Sequence, residues 1–225
     1  MQNKRYFLEF LSGRGSVNVI FEPFVSRTHT ETLIWRRGAH LWETPAAYVD
    51  TLFSLSPRTR ADVVFCDMRA FPVSQKEELL RAIGQYPHAG DVGFGVICGN
   101  GEDLSLAEGI PSVVAAAVYG DAVSERLPII RMDGMLDDAI ARGDAGWHAP
   151  DNAEHYLKKA DGRIRILGGL GPQLVLSSSP VKIYEEVARL AKVYPGRWAC
   201  GSGFSVPEDN YLELISVLGA FGRIR

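Results

Sequence analysis

Residues 61–68, Ala-Asp-Val-Val-Phe-Cys-Asp-Met, carry the reading that decides the fold. The run Val63-Val64-Phe65-Cys66 is apolar on both faces of an extended chain, the pattern of a strand buried between two layers. Asp67 ends that run, and a helix capped by Ser74 is expected to follow through about Gly84. A strand buried on both faces and followed at once by a helix belongs to a parallel sheet with helices outside it.

The same strand–helix phrase recurs on both sides. Upstream, residues 17–24 (VNVIFEPF) read as the first strand, with Pro23 at its end, where a lost donor is tolerated. Thr44-Pro45 then opens a helix with Tyr48, Val49, Leu52 and Phe53 at helical spacing. Before both, residues 4–11 form an amphipathic lead-in helix that Gly13 and Gly15 break. Downstream, strands are expected over 92–98, 127–132, 145–149, 164–167 and 198–200. Residues 113–119 read either as strand four or as a helix, because the run is β-rich but made of small residues. Helices are expected near 104–108, 135–142, 153–160, 180–193 and 211–221.

Eight strands, each with something helical after it, predict a shortened (β/α)8 TIM-type barrel of parallel strands. The usual barrel takes ~250 residues and the smallest ~200, so 225 residues leave short helices in units three to five. An open doubly wound sheet is the alternative. No repeat or linker divides the chain, which reads as one domain over residues 1–225.

Composition narrows the function. A net charge of -3 offers no basic face for nucleic acid. Cys66, Cys98 and Cys200 are widely spaced with no CxxC pair, the usage of reduced thiols in a cytoplasmic protein. The charged N-terminus is no signal peptide, and no apolar run reaches the ~20 residues of a membrane span. A local basic pocket for an acidic small molecule remains open.

A barrel keeps its chemistry at the C-terminal ends of its strands. Those ends are Glu22, Asp67 and Arg69, Asn100, Tyr119 and Asp121, Arg131 and Asp133, His148, the glycines after Leu167, and Ser202. Asp67 leads because its carboxylate should emerge from the core into the mouth; the alternative is a helix cap or a pair with Arg69. Arg131 could grip a carboxylate bidentately, or pair with Asp133 or Glu125. Asp133 before Gly134 is equally a turn residue. His148 is either an acid–base group or a buried, hydrogen-bonded histidine. The run Gly168-Gly169-Leu170-Gly171-Pro172 would let backbone approach a ligand, but lacks the spacing of a nucleotide fingerprint.

Several stretches in order also resemble one known family. These are KRYFLEFLSGRG, then LWETPAAYVDTLFSLSPRTRADVVFCDMR, LPIIRMDGMLDDAIARGDAGWHAPDN, ILGGLGPQLVLSSSPVKIYEEVARL and GSGFSVPEDNYLELISVLGAFG. The chain resembles the uroporphyrinogen decarboxylase superfamily over roughly two-thirds of its length, through the order and spacing of these stretches. The resemblance implies a (β/α)8 barrel and a possible homodimer. It also implies Asp67 as the group that stabilises a cationic intermediate in cofactor-independent decarboxylation of a tetrapyrrole or related carboxylated ligand. Arg27, Arg69, Arg131, Asp133, His148 and Ser202 would then bind the substrate.

Other members of that superfamily transfer methyl groups to or from corrinoid or thiol carriers on a zinc held by a strand-five His-x-Cys and a late Cys. Here strand five reads Arg131-Met132-Asp133, and the closing motif reads Gly201-Ser202-Gly203. Both the usual zinc ligands and the decarboxylase histidine are therefore missing. Pro23 to His29 replaces the arginine-bearing block after strand one, with Arg27 its loose substitute. The leading expectation is a decarboxylase-like enzyme. A methyltransferase relative without the usual zinc ligands is the first alternative, and a non-catalytic binding barrel the second.

Overall fold

A computed structural model describes residues 3–15, 19–22, 44–59, 62–87, 93–202, 206 and 208–221. Eight parallel strands follow one another around a closed barrel, β1 pairing with both β2 and β8. They are β1 Val19–Glu22, β2 Val63–Asp67, β3 Gly93–Cys98, β4 Val113–Val118, β5 Ile129–Arg131, β6 Gly146–Ala149, β7 Arg165–Gly168 and β8 Trp198–Cys200. The ambiguous run after Ser112 is therefore a strand. Its alanines suit a wall that neighbours on both sides must approach closely.

Around the strands lie α1 Asn3–Leu11, α2 Pro45–Thr59, α3 Val73–Gln85, α4 Gly101–Glu108, α5 Leu136–Arg142, α6 Ala153–Ala160, α7 Pro172–Ser177, α8 Pro180–Val193 and α9 Glu208–Phe221. Three details differ from the sequence reading. The helix after β2 starts one residue before Ser74, with Pro72 at its cap position. The short helix α7 falls in a stretch to which the sequence reading assigned no element. No helix separates β4 from β5, so the rule of one helix per strand fails there.

Alternate residues of each strand face opposite ways, and the apolar groups divide accordingly. Val63, Phe65, Ile97, Ala115, Ala117, Ile130, Met132, Leu167 and Ala199 fill the barrel together with Phe7, Phe10 and Leu11 of α1. The intervening residues, such as Val64, Cys66 and Val96 or Ile166, Trp198 and Cys200, pack outward under the helices. Helix α1 closes the N-terminal end: Phe7 meets Phe65 edge-on at 6.3 Å, and Arg165 Nε donates to the Phe10 carbonyl at 3.0 Å. Ligand access is thereby left to the opposite end, where the strands finish.

The helixless crossover between β4 and β5 is held by polar contacts instead. Arg131 is 1% exposed and forms a bidentate pair with Asp144, Nε to Oδ2 at 3.0 Å and Nη2 to Oδ1 at 3.1 Å. It also donates to the carbonyls of Gly120 and Ala122 in the crossover. Asp133 accepts the Gly120 N–H at 2.9 Å, and Ser124 accepts the N–H groups of Arg126 and Leu127. A buried charge is tolerable when it is paired and fully hydrogen-bonded, and this one replaces the packing that a helix would have supplied.

Candidate functional site

At the open end, Asp67 is the last residue of β2 and the cap of a 3-10 turn over Met68–Ala70. Its Oδ1 accepts the Arg69 N–H at 3.0 Å. The same carboxylate takes the Arg69 guanidinium fork, Nε to Oδ1 at 2.9 Å and Nη2 to Oδ2 at 2.8 Å. Cap and partner of Arg69 are therefore both its observed roles. From below, the Tyr48 hydroxyl of α2 accepts the Asp67 N–H at 2.8 Å, and burial raises that phenol well above its ordinary range.

Arg69 in turn lies over the ring of Tyr119, at the end of β4, with its guanidinium carbon 4.2 Å from the ring centre. Stacking of this kind holds the planar group in one orientation. Hydrogen bonding to Asp67, acting against partial burial, raises the guanidinium pKa further above its ordinary value. The Asp67 and Arg69 side chains are 27% and 37% exposed, so this pair stands at the mouth, within reach of a ligand.

Across the mouth, His148 is 5% exposed at the end of β6. Its Nε2 lies 3.3 Å from the Ser202 carbonyl, which only accepts, so Nε2 carries the proton. Burial pushes His148 down to about 4, leaving it neutral at ordinary pH. The Ser202 hydroxyl is fully buried, with no hydrogen-bond partner among the described residues. This side of the mouth offers neutral polar groups, where the Asp67 side offers ionised ones.

The remaining expectations resolve as follows. Arg131, expected to grip a ligand carboxylate, is turned into the wall and committed to Asp144, a partner other than the Asp133 or Glu125 considered from sequence. Asp133 serves the Gly120 turn. Arg27 lies outside the described residues. On one side the glycine run packs against protein: a Cβ on Gly169 (φ +83°) would sit 2.6 Å from Ala153 Cβ. A Cβ on Gly168 (φ +76°) would sit 2.8 Å from both His148 Nε2 and the Ser202 carbonyl. A cavity of about 900 Å³ opens outside the barrel between α6 and α8, lined by Asn152, Leu170, Pro172, Lys182, Arg189 and Leu190 among others. Arg189 is bound there to Glu154 at 2.6 Å and Glu186 at 2.7 Å.

Sequence reasoning missed the parts played by Tyr48 and Tyr119. Tyr119 stood among the strand-end residues, and its place two residues after the inward Ala117 was the available signal. Tyr48 lay in the apolar stripe of a helix, where nothing marks a tyrosine as a site residue.

The described residues do not suit the zinc that the resemblance to the methyl-transferring enzymes would imply. Among the described residues no group of three or more His, Cys, Asp or Glu side chains is placed to hold a metal ion. Cys66, Cys98 and Cys200 all lie in the outward-packing clusters, away from the lumen. Burial raises Cys66 and pushes Cys98 up to about 12, so both stay thiols and poor ligands. Nor is any helix among the described residues long and apolar enough to cross a membrane.

No protein-family model matches the chain. No curated protein matches it either. Among solved structures, a methyltransferase from Methanosarcina mazei matches with a TM-score of 0.64 at 12% identity, over 97% of this chain and 98% of that one. At that identity the likeness establishes a shared fold: this chain is a closed (β/α)8 barrel laid out, from end to end, as that methyltransferase is.

Proposed function

We propose that the chain is a methyltransferase-related barrel of the uroporphyrinogen decarboxylase superfamily, working on a small-molecule ligand at its mouth without the usual zinc ligands. The observation that carries this reading is the end-to-end likeness in fold to the Methanosarcina mazei methyltransferase, which spans nearly all of both chains. The ordered sequence stretches that resemble the same superfamily add to it.

The electrostatics of the mouth also favour it over decarboxylation. Stabilising a cationic intermediate calls for a fixed, unneutralised anion beside the developing charge. Asp67 has both oxygens on the Arg69 fork, so the field it would lend a cation is largely cancelled. Transfer of a methyl group from a corrinoid to a thiolate, which forms the S–C bond as the Co–C electron pair leaves on cobalt, builds no cation for that carboxylate to stabilise. The chain's own contribution would be to orient the ligand on Arg69 and Tyr119 over the apolar floor of Phe65, Ile97 and Met132, which excludes water.

The test is a visible-absorbance assay with methylcobalamin and a thiol acceptor, run beside carbon dioxide release from uroporphyrinogen. Loss of the methylcobalamin spectrum with turnover, and no carbon dioxide, is the expected result. Carbon dioxide release that Asp67→Asn abolishes would instead restore the decarboxylase reading. Silence in both assays would reduce the chain to a binding barrel.

A further inference from the structure

We infer that the ligand-facing group of the mouth is the Arg69 guanidinium, with Asp67 its positioning residue, and that the site receives an oxyanion. This rests on the mouth being the ligand site, as proposed above, and it inverts the expectation drawn from Asp67 alone.

The geometry is that of a presented fork. Asp67 takes the Nε and Nη2 edge of Arg69 at 2.9 Å and 2.8 Å. Nη1 therefore lies on the edge of the guanidinium that Asp67 does not take, and the group's further hydrogen-bonding neighbour is Tyr119. Three contacts fix the pair. The Tyr48 hydroxyl holds the Asp67 backbone at 2.8 Å, the Arg69 N–H binds Asp67 Oδ1 at 3.0 Å, and the Tyr119 ring lies 4.2 Å from the guanidinium carbon. The stem of Arg69 also passes close to β3: a Cβ on Gly99 would lie 3.2 Å from its Cγ. That glycine leaves room for the side chain to take this path.

A guanidinium so held has lost its rotamer freedom before a ligand arrives, which strengthens each hydrogen bond it then makes. An oxyanion at Nη1 is adjacent to the positive group and farther from Asp67, on its opposite edge, so attraction outweighs repulsion. Bidentate recognition by the usual Nε–Nη2 edge is not available, so the ligand is held by the Nη1 end. Neutral His148 and Ser202 across the mouth add no competing charge.

The experiment is a calorimetric titration of the full chain with acetate, inorganic phosphate and methylammonium, without any methyl donor. Wild type should bind acetate or phosphate and show no binding of methylammonium. The stronger of the two anions identifies the oxyanion as carboxylate or phosphate. Arg69→Met should weaken anion binding at least tenfold, and Arg69→Lys, which keeps the charge but not the fork, at least fivefold. Should Arg69→Met fold poorly by circular dichroism, Arg69→Lys alone decides. Methylammonium binding that Asp67→Asn abolishes, or anion affinity unchanged by either Arg69 substitution, would overturn the inference. Because no methyl donor is present, the anion result stands or falls independently of the methyl-transfer assay.

Discussion

Two aspartate–arginine pairs of the same chemistry sit in this barrel and do opposite things. Arg131 and Asp144 are 1% and 4% exposed, and Arg131 spends its other donors on the carbonyls of Gly120 and Ala122. Arg69 and Asp67 are 37% and 27% exposed at the mouth, and the guanidinium lies over the Tyr119 ring. The pairing is bidentate in both. What separates a wall fixture from the proposed ligand handle is therefore burial, not the motif. Breaking a buried pair strands a charge in low dielectric, whereas breaking an exposed one lets water take over.

The largest expected effect tests the buried half of that contrast. Asp144→Asn leaves the Arg131 charge inside the wall, and should cost about 3–5 kcal/mol of stability, read from the urea midpoint. A loss below about 1 kcal/mol would mean that the pair does not hold the β4–β5 crossover. Next comes the neutral side of the mouth. His148 falls from 6.5 to about 4 on folding, because burial disfavours its charged form. Between those values the unfolded chain binds the extra proton. Stability is then full above about pH 6.5 and declines as the pH drops toward 4, by on the order of 3 kcal/mol. His148→Gln should flatten that decline in urea titrations across the same window; an unchanged slope would remove His148 as its source. The smallest effect belongs to the mouth pair. Asp67→Asn should change stability by no more than about 1 kcal/mol, and a cost matching that of Asp144→Asn would erase the distinction between the two pairs.

Much of this barrel was legible in the sequence because closure of a parallel sheet demands strands that are apolar on both faces. ADVVFCDM and VGFGVIC satisfy that plainly, and their ends located Asp67. The run VVAAAV was ambiguous for a physical reason: alanine favours helices in isolation, and only tight packing between β3 and β5 makes it a good wall residue. The missing helix after β4 had no local signal, since what replaces it is Arg131, whose partner Asp144 lies thirteen residues on. Sequence proximity had pointed to Asp133 and Glu125. The parallel arrangement instead brings Asp144, two residues before β6, against Arg131 at the end of β5. Helix α7 went unseen because Pro172 follows a glycine run that reads as loop, although proline is also at home in a helix's first turn.

The candidate site was only half legible. Strand ends pointed to one neighbourhood, and Asp67, Arg69, Tyr119, His148 and Ser202 all lie around the mouth. Their roles depended on contacts between strands that no single stretch reveals, as Arg69 on Tyr119 illustrates. The glycines after β7 were read as room for a ligand; they make room for Ala153, His148 and Ser202, and Gly169 and Gly171 also line the cavity outside the barrel.

The most direct test of the account is a crystal structure of the chain grown or soaked in its stronger oxyanion. The expected result is the anion within hydrogen-bond distance of Arg69 Nη1, with the Asp67 fork still closed and Arg131 still on Asp144. An anion found only in the cavity between α6 and α8, or Arg69 swung away to leave Asp67 facing the ligand, would contradict it.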